Sequence, residues 1–177
     1  MRRFLDRLYA ASGALAALCL AGICVLMLAQ AGGREFGLLI RGADDITAWL
    51  CAAAAFLALG HTFRHGELVR VGLFIDMLKP GAHRMAEIAS LGLAALFVGY
   101  MAFAVVKFVH ESWKFKEVAQ GLVKIPIWIP QLCFVIGVLI FLVAILDELI
   151  LVLGNRKPAY QVAEEDRRAR GDFSEMA

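Results

Sequence analysis

Residues 44–63 read DDITAWLCAAAAFLALGHTF, and residues 64–80 continue RHGELVRVGLFIDMLKP. The first part opens on two acids, Asp44 and Asp45, and then stays apolar to Phe63 apart from Thr47, His61 and Thr62. About 20 such residues cross a bilayer as a helix. The second part is equally apolar in bulk but dotted with charge. Glu67, Arg70, Asp76 and Lys79 fall at helical spacings, so residues 66–79 read as an amphipathic helix lying at the interface. Pro80-Gly81 ends it. A span followed by a shelf fixes the class: an all-α membrane protein.

The rest of the chain repeats the span. It has 177 residues, 61% of them hydrophobic, where soluble domains are nearer half. Charge-free runs predict spans at about 8–31, 44–63, 85–106 and 128–148. These four helices and the shelf form one membrane domain, 1–154, followed by a mixed-charge, flexible tail, 155–177. Ala29-Gln30-Ala31 resembles a signal-peptidase site, but its apolar run exceeds a signal core of ~7–15 residues, so a retained helix is expected. Gly13, Ala17 and Ala21 make a small-residue stripe at which another helix can approach. Ser90, Gly92, Ala94, Ala95, Gly99 and Ala102 suggest the same in the third span. The long loop 107–124 carries four lysines, and its first half can continue the third helix past the membrane. Pro130 belongs in the first turn of the fourth helix, where a missing N–H costs nothing.

Orientation follows from counting Lys and Arg. Residues 1–8, 64–87 and the tail hold twelve; 32–43 and 107–124 hold six. The positive-inside rule then puts both termini in the cytoplasm. Trp49, Trp113 and Trp128 all fall near the outer membrane edge, where indole rings prefer to sit.

The missing chemistry narrows function. No Asp, Glu, Lys, Arg or His lies near the middle of any span. Ion and proton paths usually need such groups, and carriers tend to have broken helices at mid-membrane. His61 and His110 stand about a bilayer thickness apart and cannot share one haem. His61 and His65 are four apart, but without further ligands they read as interfacial side chains. Cys19, Cys24, Cys51 and Cys133 lie in apolar runs and lack metal or haem spacing. No phosphate loop or nucleophile elbow is present, so no enzyme, catalytic residue or cofactor is expected. A net charge of +2 gives no reason to expect nucleic acid. What remains is a helical scaffold with surfaces for a partner or for lipid.

Three pieces of sequence, in order, resemble the small membrane subunit (DctQ type) of tripartite ATP-independent periplasmic (TRAP) transporters. They are Asp44-Asp45-Ile46-Thr47-Ala48-Trp49, Gly60-His61-Thr62-Phe63-Arg64-His65-Gly66-Glu67-Leu68-Val69-Arg70-Val71, and Ile125-Pro126-Ile127-Trp128-Ile129-Pro130-Gln131-Leu132. Leu68 stands where the family often has a histidine, and Cys133 begins a stretch where it commonly has a proline. The resemblance implies an accessory subunit in a bacterial or archaeal inner membrane. Its partners would be a large membrane subunit, which carries substrate and sodium, and a periplasmic substrate-binding protein. It would brace the first and help dock the second during uptake of carboxylates or sugar acids. The residue-level alternatives are a haem-free anchor of a redox complex and a self-assembling four-helix membrane protein. Candidate interface residues toward partners or lipid are Asp44, Asp45, Trp49, Trp128 and Pro130 at the outer end, and Arg64, Glu67, Arg70 and Asp76 at the inner end.

Overall fold

The computed structural model describes residues 2–37, 40–65 and 80–154. It contains four helices: α1 (Arg2–Glu35), α2 (Ala43–His65), α3 (Pro80–Lys114) and α4 (Trp128–Leu153). All four are long and apolar enough to cross a membrane. Among the described residues the sole β-type pairing is an isolated bridge between Val118 and Pro126. The expected shelf at 66–79 and the tail lie outside the described residues.

The helices are longer than the expected spans. At ~1.5 Å per residue a hydrocarbon core of ~30 Å needs about 20 residues. α2 with 23 and α4 with 26 exceed that slightly, whereas α1 with 34 and α3 with 35 overhang it. Charged residues are tolerated in the overhang because it reaches water. Lys107 and Glu111, one turn apart at 3.9 Å, lie on the extension of α3 that runs on to Lys114. α4 likewise passes through Asp147 and Glu148 and ends at Gly154, whose N–H bonds the carbonyl of Ile150 at 2.9 Å.

Chain order is not packing order. α1 packs on α2, α2 on α4, and α4 on α3, while α1 meets α4 only slightly. The helices thus stand as a row, α1–α2–α4–α3, with α2 and α4 inside and the two long helices at the edges. The inner contact brings backbone close to backbone. A Cβ on Gly137 of α4 would lie 2.6 Å from the backbone carbonyl carbon of Phe56 in α2. One on Gly60 would lie 2.7 Å from Ile140 Cγ2. Each helix therefore brings a glycine against the other's bulk, the usual means of close approach in lipid. Phe56 stacks on Phe134 at 5.2 Å between ring centres, and Phe63 meets Phe141 edge-on at 5.5 Å.

The small-residue stripes are only partly where the spacing suggests. Gly13 does face α2, under the ring of His61, but Ala17 and Ala21 are exposed. The buried or half-buried ridge of α1 is instead Tyr9, Ser12, Ala16, Cys19, Ile23, Leu26 and Gln30. These alternate steps of three and four, the seven-residue repeat that keeps one seam facing a neighbour. A strict four-residue step drifts about 40° per step around a 3.6-residue helix and leaves the seam. In α3, a Cβ on Gly92 would meet nothing within 4 Å, and one on Gly99 would make only ordinary contact with Leu142. α3 instead buries Leu91, Val98, Ala102 and Val109 against the row.

Candidate functional site

The polar groups of the molecule collect at the two ends of the row. At one end Arg64, in the last turn of α2, is the hub. Its Nη1 donates to Asp147 Oδ2 at 2.9 Å and to Glu148 Oε1 at 3.4 Å, both on α4. Its Nη2 donates to Asp6 Oδ1 of α1 at 2.8 Å. The guanidinium carbon lies 5.6 Å from the centre of the Tyr9 ring, within cation–π range. The Glu148 side chain is 1% exposed and that of Asp6 52%, so the hub runs from a dry interior to the rim. A buried carboxylate is tolerable only when paired, and arginine's planar fork is the cation that can serve several acceptors. On the remaining helix, Arg84 Nη2 donates to the Leu153 carbonyl at 3.4 Å, one of the carbonyls that a helix end leaves without a partner. All four helices are therefore tied together at this end.

At the other end Asp44 and Asp45 begin α2. Gln30 Nε2 of α1 donates to Asp44 Oδ1 at 3.3 Å. Asp45 Oδ2 accepts the backbone N–H groups of Leu122 (2.8 Å) and Val123 (3.4 Å). So Asp45 uses its carboxylate on the α3–α4 connection. The fit depends on two glycines. A side chain at Gly121 would collide with the Asp45 carboxylate, and one at Gly42, which has φ +83°, would strike Val123. The connection is folded on itself as well. Glu117 N–H bonds Ser112 O at 3.0 Å, Ala119 N–H bonds Ile125 O at 2.9 Å, and Ile127 N–H bonds Glu117 O at 3.1 Å.

The expected interface residues divide accordingly. Asp44 and Asp45 meet α1 and the connection, and half-buried Trp49 sits one turn further along α2. Trp128 and Pro130, both half-buried, form the first turn of α4 where the connection ends. Arg64 is committed to contacts within the chain. Glu67, Arg70 and Asp76 lie outside the described residues. Asp6, Tyr9, Gln30, Asp147 and Glu148 were not singled out as site residues from sequence. A depth count along each helix puts Asp6, Arg64, Asp147 and Glu148 at one level, but it does not say that they touch. Among the described residues no three His, Cys, Asp or Glu side chains gather to hold a metal.

This is a row of four apolar helices with its polar groups at its ends, and the sequence model of one family fits it. Tripartite ATP-independent periplasmic transporters, DctQ component, matches residues 23–155, well over half of the chain. The chain belongs to the DctQ family. It is thus a small membrane subunit of a tripartite transporter, and an assembly of that kind implies partner subunits. A search of curated proteins gives no match. The DctQ match covers α2, α3, α4 and the α3–α4 connection, while Asp6, Tyr9 and Gly13 on α1 precede it.

Proposed function

We propose that this DctQ subunit is a non-catalytic scaffold of a sodium-coupled importer of carboxylates or sugar acids. It braces the large transport subunit, which binds sodium and substrate, and its outer end helps to dock the periplasmic substrate-binding protein. The observation that carries this reading is the placement of charge. Every Asp, Glu, Lys and Arg lies toward the ends of the four spans, and the middle of the row is apolar. Such a row offers no path for an anion or a cation, whereas rigid end-to-end ties suit a static frame. The count of twelve Lys and Arg against six supports placing the Arg64 end, with both termini, in the cytoplasm. The Asp45-anchored connection then faces the periplasm.

Uptake of labelled solute into cells or proteoliposomes tests the proposal. The large subunit, the binding protein and this chain together should transport under a sodium gradient. Omitting this chain should abolish uptake, and this chain alone should give none. Transport by the chain alone, or co-purification with a flavin or iron–sulfur protein in place of a large permease, refutes the proposal.

A further inference from the structure

α3 stands at one edge of the row, and the ridge it turns away from α4 carries a polar group at an unusual depth. Leu93, Leu96, Phe97, Tyr100 and Phe103 are all exposed, Tyr100 at 73%. The charges nearest mid-membrane on α3 are Glu87 and Lys107, which bracket residues 88–106. At ~1.5 Å per residue that stretch is about 28 Å long, one hydrocarbon thickness. The Tyr100 Cα lies three residues past its midpoint, about 5 Å from the membrane centre and about 10 Å short of the Lys107 level. Helical side chains lean toward the N-terminus of their helix. For α3 that is the Arg84 end, so the phenol leans back toward the centre and away from the nearer interface.

Tyrosine belongs at membrane interfaces because its ring is apolar and its hydroxyl reaches water. Here the hydroxyl makes no hydrogen bond among the described residues, and lipid tails supply no acceptor. Two further hydroxyls, those of Tyr9 and Ser112, also lack a partner, but both are buried inside the chain rather than turned toward lipid. Ser12, Thr47, Thr62 and Ser90 each donate to a carbonyl of their own helix at 2.8–3.1 Å. A phenol oxygen stands too far from its own backbone to do so.

We propose that this ridge of α3 packs on a transmembrane helix of the large membrane subunit, and that this helix presents an acceptor to Tyr100 at mid-membrane depth. The inference rests on the scaffold reading above and names the face that performs it. A second copy of this chain fits less well. Around a twofold axis the ridge would offer Tyr100 nothing but the other Tyr100, so one of the two donors would stay unmet.

The test uses the complete transporter, with a benzoyl-phenylalanine photocrosslinker placed at Phe97 or Phe103, and at the exposed Leu18 of α1 for comparison. Illumination should join positions 97 and 103, but not 18, to the large membrane subunit, identified by mass spectrometry. Tyr100→Phe should weaken association with that subunit about threefold, the typical worth of one hydrogen bond between membrane helices. Adducts from Leu18 alone, or with a second copy of this chain, overturn the inference and leave the scaffold reading standing, as does co-purification with no protein adduct at 97 or 103. Unchanged affinity in Tyr100→Phe overturns the hydrogen bond. If the large subunit does not co-purify with the unaltered chain, the scaffold reading fails and the inference falls with it.

Discussion

Replacing Arg64 by Met strips the guanidinium from two carboxylates on α4, one of them almost wholly buried. Breaking a buried ion pair from one side costs about 3–5 kcal/mol, so Arg64→Met should unfold in detergent at clearly lower temperature or denaturant. Asp6→Asn removes only the half-exposed partner and should cost under about 1 kcal/mol. Arg64→Lys should fall between them, because a single ammonium cannot reach three acceptors on two helices. Equal losses in Arg64→Met and Asp6→Asn would show that α4 is not the main partner. These side chains also mark a limit of sequence reading. Hydropathy confines charged side chains such as these to the ends of their helices, since charge has to stay near the membrane edge. It carried nothing about which helix stands beside which, and the partners of Arg64 lie 58 to 84 residues away along the chain.

At the scale of the helix, two glycines that look alike in sequence behave differently. Gly137→Ala forces a methyl against the Phe56 backbone, and overpacking of that kind costs about 1–3 kcal/mol. Gly92→Ala meets open space and should be neutral, or stabilising by up to about 1 kcal/mol through helix propensity. Thermal unfolding of the two variants in one detergent compares them directly. The four long apolar helices were readable because burial in lipid leaves a long apolar signature. The contact faces were not, because small residues occur on lipid-facing and packed sides alike. Ala17 and Ala21 illustrate this: they continue the spacing of Gly13 but leave the seven-residue seam. The α3–α4 connection offers a separate check. Asp45→Ala removes the acceptor of two amides, so hydrogen exchange at Leu122 and Val123 should quicken while exchange within α4 stays slow. Slow exchange at both amides in the variant would mean that the connection holds its place without Asp45.

For the whole molecule, the row makes a prediction about neighbours. With the native cysteines removed, short thiol crosslinkers between engineered pairs should join α1 to α2, α2 to α4 and α4 to α3. They should not join α1 to α3. A closed four-helix bundle would give efficient α1–α3 products and is the arrangement this experiment would detect. The DctQ family was legible from the order of three short segments, because each includes a helix start or a helix end whose residues are set by backbone and charge. The row itself was not legible, since any helix that meets lipid on two sides has much the same composition in whatever order the helices stand.

The placement of α4 has a consequence for how the chain is made. Of the four described helices it is the last to be synthesised, and it is the one on which both α2 and α3 pack. A nascent chain can form the α1–α2 hairpin early. It must then hold α3 in the membrane beside no settled neighbour, with Asp6 alone of the Arg64 hub's acids yet made. Only when residues 128–153 leave the ribosome can the final helix slide between two that are already inserted. A chain cut before that point leaves Arg64 with Asp6 alone and α3 without the helix it packs on.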